Sequence, residues 1–177
     1  KKGSYVQLMP ELHLINAELS LSDGNLGQAT ASANEAVRLA PPNSEIMIES
    51  KYFLGSLKGD AKKLCAEAIE AASKAGIFGL HARALLAGAE AALKGNDAQT
   101  ALSLATQAQE RFSRGLVESE WRAWIIASRA SERLGDIQKK EEMRQNAINA
   151  RSRLEQQWGG NTFKRYAERP DIQVYYQ

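Results

Sequence analysis

The sequence predicts an all-α fold of stacked antiparallel helix pairs, and three observations carry that prediction. Four Gly-Asn or Gly-Asp pairs, Gly24-Asn25, Gly59-Asp60, Gly95-Asn96 and Gly135-Asp136, recur at steps of 35, 36 and 40 residues. Each follows an apolar stretch of helical period and precedes an alanine-rich one, which is the pattern of a helix–turn–helix repeat. Alanine is abundant, only four prolines occur, and the β-branched residues never form a strand-like run.

The elements follow in order. Leu14, Ala17 and Leu21 give an apolar face to a helix over about residues 10–22, which Asp23-Gly24-Asn25 ends. Leu26, Ala29, Ala33, Ala36, Val37 and Ala40 mark the second helix, stopped by Pro41-Pro42-Asn43. Ser44 is the expected N-cap of a third helix carrying Ile46, Met47, Tyr52, Phe53 and Leu57 up to Gly59-Asp60. Its partner carries Leu64, Ala68, Ile69, Ala71 and Ala72 and ends at Lys74-Ala75-Gly76. Leu80, Ala84, Leu85, Gly88, Ala91 and Ala92 define the fifth helix, and Ala101, Leu104, Ala105, Ala108 and Phe112 the sixth, which stops near Ser113-Arg114-Gly115. Trp121, Trp124, Ile125, Ser128 and Leu134 lie on the seventh. Trp121 and Trp124, three residues apart, are not both expected in the core, so at least one is. A long eighth helix runs through Met143, Ala147, Ile148 and Leu154 to Gly159-Gly160. A short helix from about Thr162 to Glu168, capped by Asn161, and an extended tail from Asp171 to Gln177 complete the chain.

These residues resemble tetratricopeptide repeats (TPRs) over about residues 10–155. Ala17, Gly24-Asn25, Ala29, Ala36 and Pro41 stand at matching positions in the first unit. Gly88, Gly95-Asn96, Ala101 and Ala108 match in the third once one extra residue is allowed after Gly95, and Ser128, Gly135-Asp136 and Ala147 match in the fourth. Tyr52, Leu64 and Lys140 depart from the pattern, where small residues are usual, so the array is a degenerate one. The resemblance implies one domain, residues 1–177, forming a right-handed superhelix of about four pairs at 10–43, 44–78, 79–115 and 116–155, with a C-terminal cap and tail at 156–177. The ending Trp158-Gly159-Gly160…Phe163…Tyr166…Arg169-Pro170-Asp171 is similar to the tails of such regions in large bacterial proteins. A start at Lys1-Lys2-Gly3 rather than Met reads as a piece excised from a longer protein.

The resemblance also implies a role: a scaffold binding a protein or peptide segment in its concave groove, not an enzyme. Carried over residue by residue, the groove holds Leu14 and Glu18, then Glu49 and Phe53, then Leu85 and Ala89, and finally Arg122, Ile125, Arg129 and Arg133. Arg122, Arg129 and Arg133 share one helix face and suit an acidic segment through bidentate guanidinium contacts. The carboxylate clamp that some TPR proteins use on chaperone tails is not matched, since Leu14, Glu18, Ser50, Ala82 and Leu86 occupy its positions. Two rival readings are self-association, with the apolar tail Ile172–Tyr176 packing on a second copy to give a homodimer or on its own groove as an intramolecular regulator, and nucleic-acid binding through the basic second half.

Composition bears on the rivals. The net charge is +2. Residues 1–100 carry ten Lys/Arg against eleven Asp/Glu and residues 101–177 thirteen against ten, so no strong basic patch argues for nucleic acid. The single cysteine, Cys65, excludes an intrachain disulfide and favours a reducing compartment, the cytoplasm. No apolar run has the ~20 residues of a membrane helix. His13 and His81 lack partners at metal-ligand spacing, phosphate-binding glycine loops are absent, and no cofactor is expected. The lysines beside Cys65 raise the question of a lowered thiol pKa, against which stands inert packing.

Overall fold

The computed structural model describes residues 8–57, 62–113, 115 and 117–176. Among these residues ten helices follow one another: α1 (Met9–Ser22), α2 (Leu26–Leu39), α3 (Glu45–Leu57), α4 (Lys62–Ala75), α5 (Phe78–Lys94), α6 (Ala98–Phe112), α7 (Val117–Arg133), α8 (Ile137–Trp158), α9 (Gly160–Ala167) and α10 (Pro170–Gln173). Among the described residues there is no strand.

The glycine pairs work as turn and cap together. Gly24 and Gly135 both take the left-handed conformation, at φ 79°. The next residue then caps the following helix: Asn25 accepts from the Gln28 N–H at 3.1 Å and Asp136 from the Lys139 N–H at 2.9 Å. In the third pair the turn sits one residue later. Gly95 ends α5 at φ −78°, Asn96 takes the left-handed position at φ 60°, and Asp97 caps α6 by accepting from the Thr100 N–H at 3.1 Å. This is where the extra residue falls. Ser44 accepts from the Met47 N–H at 3.2 Å, as an N-cap does. Gly59-Asp60 lies outside the described residues.

Two expectations fail at the C-terminal end. Asn161 does not cap the short helix, because α9 already starts at Gly160, behind Gly159 at φ 78°. The tail is not extended. Pro170 pre-sets the first turn of α10, Asp171 lies in that turn, and Ile172 and Tyr175, three residues apart, both turn inward and are buried. An extended tail would point side chains two apart, not three apart, to one side.

Consecutive helices pack as neighbours, and the odd-numbered helices α1, α3, α5 and α7 also touch one another in order. Among the described residues the backbones of the even-numbered helices stay apart, and a gap of about 620 Å³ opens between α4 and α6, floored by Gly88 and Ala92 of α5. The core is therefore a string of clusters along the odd helices. Ala17, Ala33 and Leu54 join the first pair to the second. Ile48, Ala68, Ala72, Leu80 and Ala84 join the second to the third, and the largest cluster runs from α5 to the tail. Trp121 is fully buried in it and Trp124 half-buried.

Small side chains set the spacing. A Cβ on Gly88 would come within 2.9 Å of Ile69 Cδ1 and 3.1 Å of Leu104 Cδ1, so α5 meets both even neighbours there on bare backbone. A Cβ on Gly55 would run into the Cys65 sulfur. That sulfur is buried, and burial first, then Glu90, pushes the thiol up to about 12 despite Lys94. Cys65 is thus a packing group, and its neighbouring lysines do not activate it.

Gly55→Ala costs about 1–3 kcal/mol by overpacking, and Gly55→Ala/Cys65→Ala recovers most of it; urea melts of the three chains measure both. At the α6 cap, the Lys62 ammonium and the Thr100 N–H hold the Asp97 carboxyl down to about 2. A carboxylate depressed in this way stabilises the fold above its ordinary pKa and loses that stabilisation as pH falls through the folded value. Asp97→Ala should therefore lower the melting temperature by a constant margin from neutral pH down to about pH 4, and the margin should narrow below that.

Candidate functional site

The face made by the odd helices is occupied by the chain's own tail. The tail leaves α9 and bridges the last pair to the first: α10 packs on α1, and Pro170 lies 3.3 Å from where a Gly24 Cβ would stand. Ile172 and Tyr175 are buried, whereas Val174 and Tyr176 remain exposed.

Arg122 of α7 is the centre of the site. Its Nη2 donates to Glu90 of α5 at 3.1 Å and to the Tyr175 hydroxyl at 3.0 Å, and its guanidinium lies 4.9 Å from the Tyr175 ring centroid. The Tyr175 hydroxyl in turn donates to Glu90. Glu118, one turn earlier on α7, adds a second carboxylate 3.8 Å from Arg122. Burial works against the Arg122 charge, but Tyr175, Glu90 and Glu118 outweigh it and keep the guanidinium protonated. Burial and Glu90 raise the Tyr175 phenol, so it stays neutral. Two turns of α7 further on, Arg129 donates to the Val174 carbonyl at 2.9 Å and so grips the tail by its backbone.

Aromatic rings complete the seat. Trp121 meets Tyr175 edge-on at 5.6 Å and Tyr166 edge-on at 6.4 Å, and its indole N–H donates to the Tyr166 hydroxyl at 3.2 Å. The Tyr166 hydroxyl passes the chain on to Glu118 at 3.0 Å. Edge-to-face pairs of this kind add about 0.5–1.5 kcal/mol each beyond the area they bury.

The sequence-derived groove residues do not form one site. Arg122 and Arg129 come together on the tail. Arg133 does not join them: it donates to the Leu93 carbonyl and, at 3.5 Å, to Asn96 Oδ1, closing the C-terminus of α5. Glu18 of α1 and Glu49 of α3 form an acidic region at the other end of the face, with Arg83 of α5 3.6 Å from Glu49. Burial raises both carboxyls, and Glu49 raises Glu18 further, while Arg83 and the tail's Arg169 draw Glu18 back down. Phe53 is half-buried against Ala17, Ala33 and Leu54, between the first two pairs. Leu14, Leu85 and Ala89 are buried, and Ile125 is half-buried.

Sequence reasoning missed Glu90, the acceptor that joins Arg122 to Tyr175. Its signal was present: Glu90 is the one carboxylate in α5 and stands in the apolar run Gly88-Ala89-Glu90-Ala91-Ala92, and such a group needs a buried partner. Among the described residues no three His, Cys, Asp or Glu side chains gather as metal ligands, and no helix is long and apolar enough to cross a membrane.

Removing Arg122 strands Glu90 beside a neutral phenol. Arg122→Ala should cost about 3–5 kcal/mol, and Arg122→Ala/Glu90→Ala should cost well under the sum of the two single changes. A double-mutant cycle by chemical denaturation measures the coupling. The chain matches no family model and no curated protein, so the reading of this face rests on its geometry.

Proposed function

We propose that the chain is a protein-binding module, working by recognition and not by catalysis: the face of its odd helices receives a peptide or protein segment, as the groove of a TPR-like array does. The observation that carries this reading is the docked tail. Arg122, Glu90 and Arg129 hold a short segment by one side-chain hydroxyl and one backbone carbonyl, while Ile172 and Tyr175 fill apolar seats. That is how a groove reads a short segment: polar groups fix its register and buried anchors supply affinity.

The same contacts favour a second reading, an intramolecular regulatory domain. A resident tail competes with any incoming segment and weakens its apparent affinity by the free energy of docking, a penalty that release of the tail removes. A homodimer through the tail would require Ile172 and Tyr175 to leave their present seats for a second copy.

The test uses a labelled peptide with the sequence of residues 168–177 and the full chain carrying Ile172→Ala/Tyr175→Ala. The weakened chain should bind the peptide saturably, the parent chain far less, and a peptide with alanine in place of its first tyrosine should bind neither. Absence of binding to the weakened chain, with its helicity intact by circular dichroism, removes the proposal.

A further inference from the structure

The first helix is apolar on two opposite faces. Pro10, Leu14 and Ala17 point inward and are buried. Leu8, Leu12, Ile15 and Leu19, at spacings of four, three and four, share a narrow stripe on the other side. They are 55%, 53%, 51% and 57% exposed. A continuous stripe of large apolar side chains in water marks a contact surface.

The repeat shows what covers such a stripe. Matching the helices through their left-handed turn residues, Gly24, Asn96 and Gly135, places Leu12, Ile15 and Leu19 at Ala84, Ala87 and Ala91 of α5 and at Ala123, Ile126 and Ala130 of α7. All six are at most 5% exposed. Stepping by the 35 residues between Gly24 and Gly59 places Ile15 and Leu19 at Ser50 and Leu54 of α3, both buried. Each covering surface belongs to the preceding helix pair. Leu54 packs with Ala17 and Ala33, flanked by Val37, and Ala84 packs with Ile48, Ala68 and Ala72.

The other end of the array is finished differently. On α8 the stripe with the same spacing is Gln138, Glu142, Gln145 and Asn149, all exposed and all polar. A polar outer face is what the terminal unit of a repeat array needs. Among the described residues α8 has such a face and α1 does not.

We infer that the Leu8–Leu12–Ile15–Leu19 face of α1 is a stacking surface for a further antiparallel helix pair of the same build, seated as the first pair is seated on α3. The incoming pair presents small residues equivalent to Ala17 and Ala33, with a Val37-like side chain beside them, and Leu19 enters between its helices as Leu54 does here. This inference is independent of what the odd-helix face binds.

The test supplies such a pair. A second copy of residues 9–43 is spliced directly ahead of Met9 in the full chain. The expected result is a melting temperature several degrees above that of the parent and about tenfold slower amide exchange in the original α1. Leu12→Glu/Ile15→Glu/Leu19→Glu in the original α1 should abolish both gains in the spliced chain, while leaving the unspliced chain's melting unchanged, because those side chains face water there. Leu19→Ala, a milder change, should remove part of the gain. No rise in melting temperature and no slowing of exchange overturn the inference. So does a dimer of the unspliced chain, seen by sedimentation, that the triple substitution converts to monomer, since the face then belongs to a second copy.

Discussion

Everything in this molecule depends on helices meeting at alanine and glycine. Ala17, Ala29, Ala33, Ala36, Ala68, Ala72, Ala84, Ala101, Ala105 and Ala108 have no measurable exposure. They bury little area individually, so their worth lies in the distance they permit: backbones approach closely enough for the larger side chains between them to close without voids. Gly55 and Gly88 are the limiting cases, where even a methyl group meets a sulfur or the end of an isoleucine. Close approach of consecutive helices lets the odd ones touch in order while the even backbones stay apart, which leaves a continuous face along the odd helices.

On that face, charge placement follows burial. Arg122 is surrounded by Glu90, Glu118 and two tyrosines, so its positive charge is compensated from several directions. A buried ion pair of this kind is poor evidence for stability in itself, because desolvation offsets most of its attraction. Its value is in register. The tail is admitted with its hydroxyl between Arg122 and Glu90 and its carbonyl on Arg129, and a shift of one residue would put Val174 or Tyr176 where Tyr175 sits.

Most of the helical layout was legible in the sequence because helical periodicity and turn chemistry are local properties. Asn25, Asp136 and Ser44 cap helices by contacts three residues long, and such contacts are written in a few neighbouring letters. The departures have non-local or one-residue causes. Asn96 tolerates a positive φ better than most residues with a side chain, so the third turn slid by one without changing its composition. The tail's helical turn depends on seats made by α5 and α7, which no local pattern in residues 170–176 displays. Arg129 and Arg133 are four apart on one helix, yet one grips the tail and the other closes α5. Only the packing of neighbouring helices separates them.

The bridge that α10 makes from the last pair to the first also bears on how the chain folds. An open array of helix pairs has contacts only between neighbours, and such arrays form quickly and lose their ends independently. Here Pro170 meets Gly24, 146 residues earlier, and Tyr175 meets Glu90 across 85 residues. Loop-closure entropy makes such long closures costly until the pairs between them have assembled. The tail thus acts as a late latch: it adds contact order to an otherwise local topology and ties the fraying of α1 to that of α7.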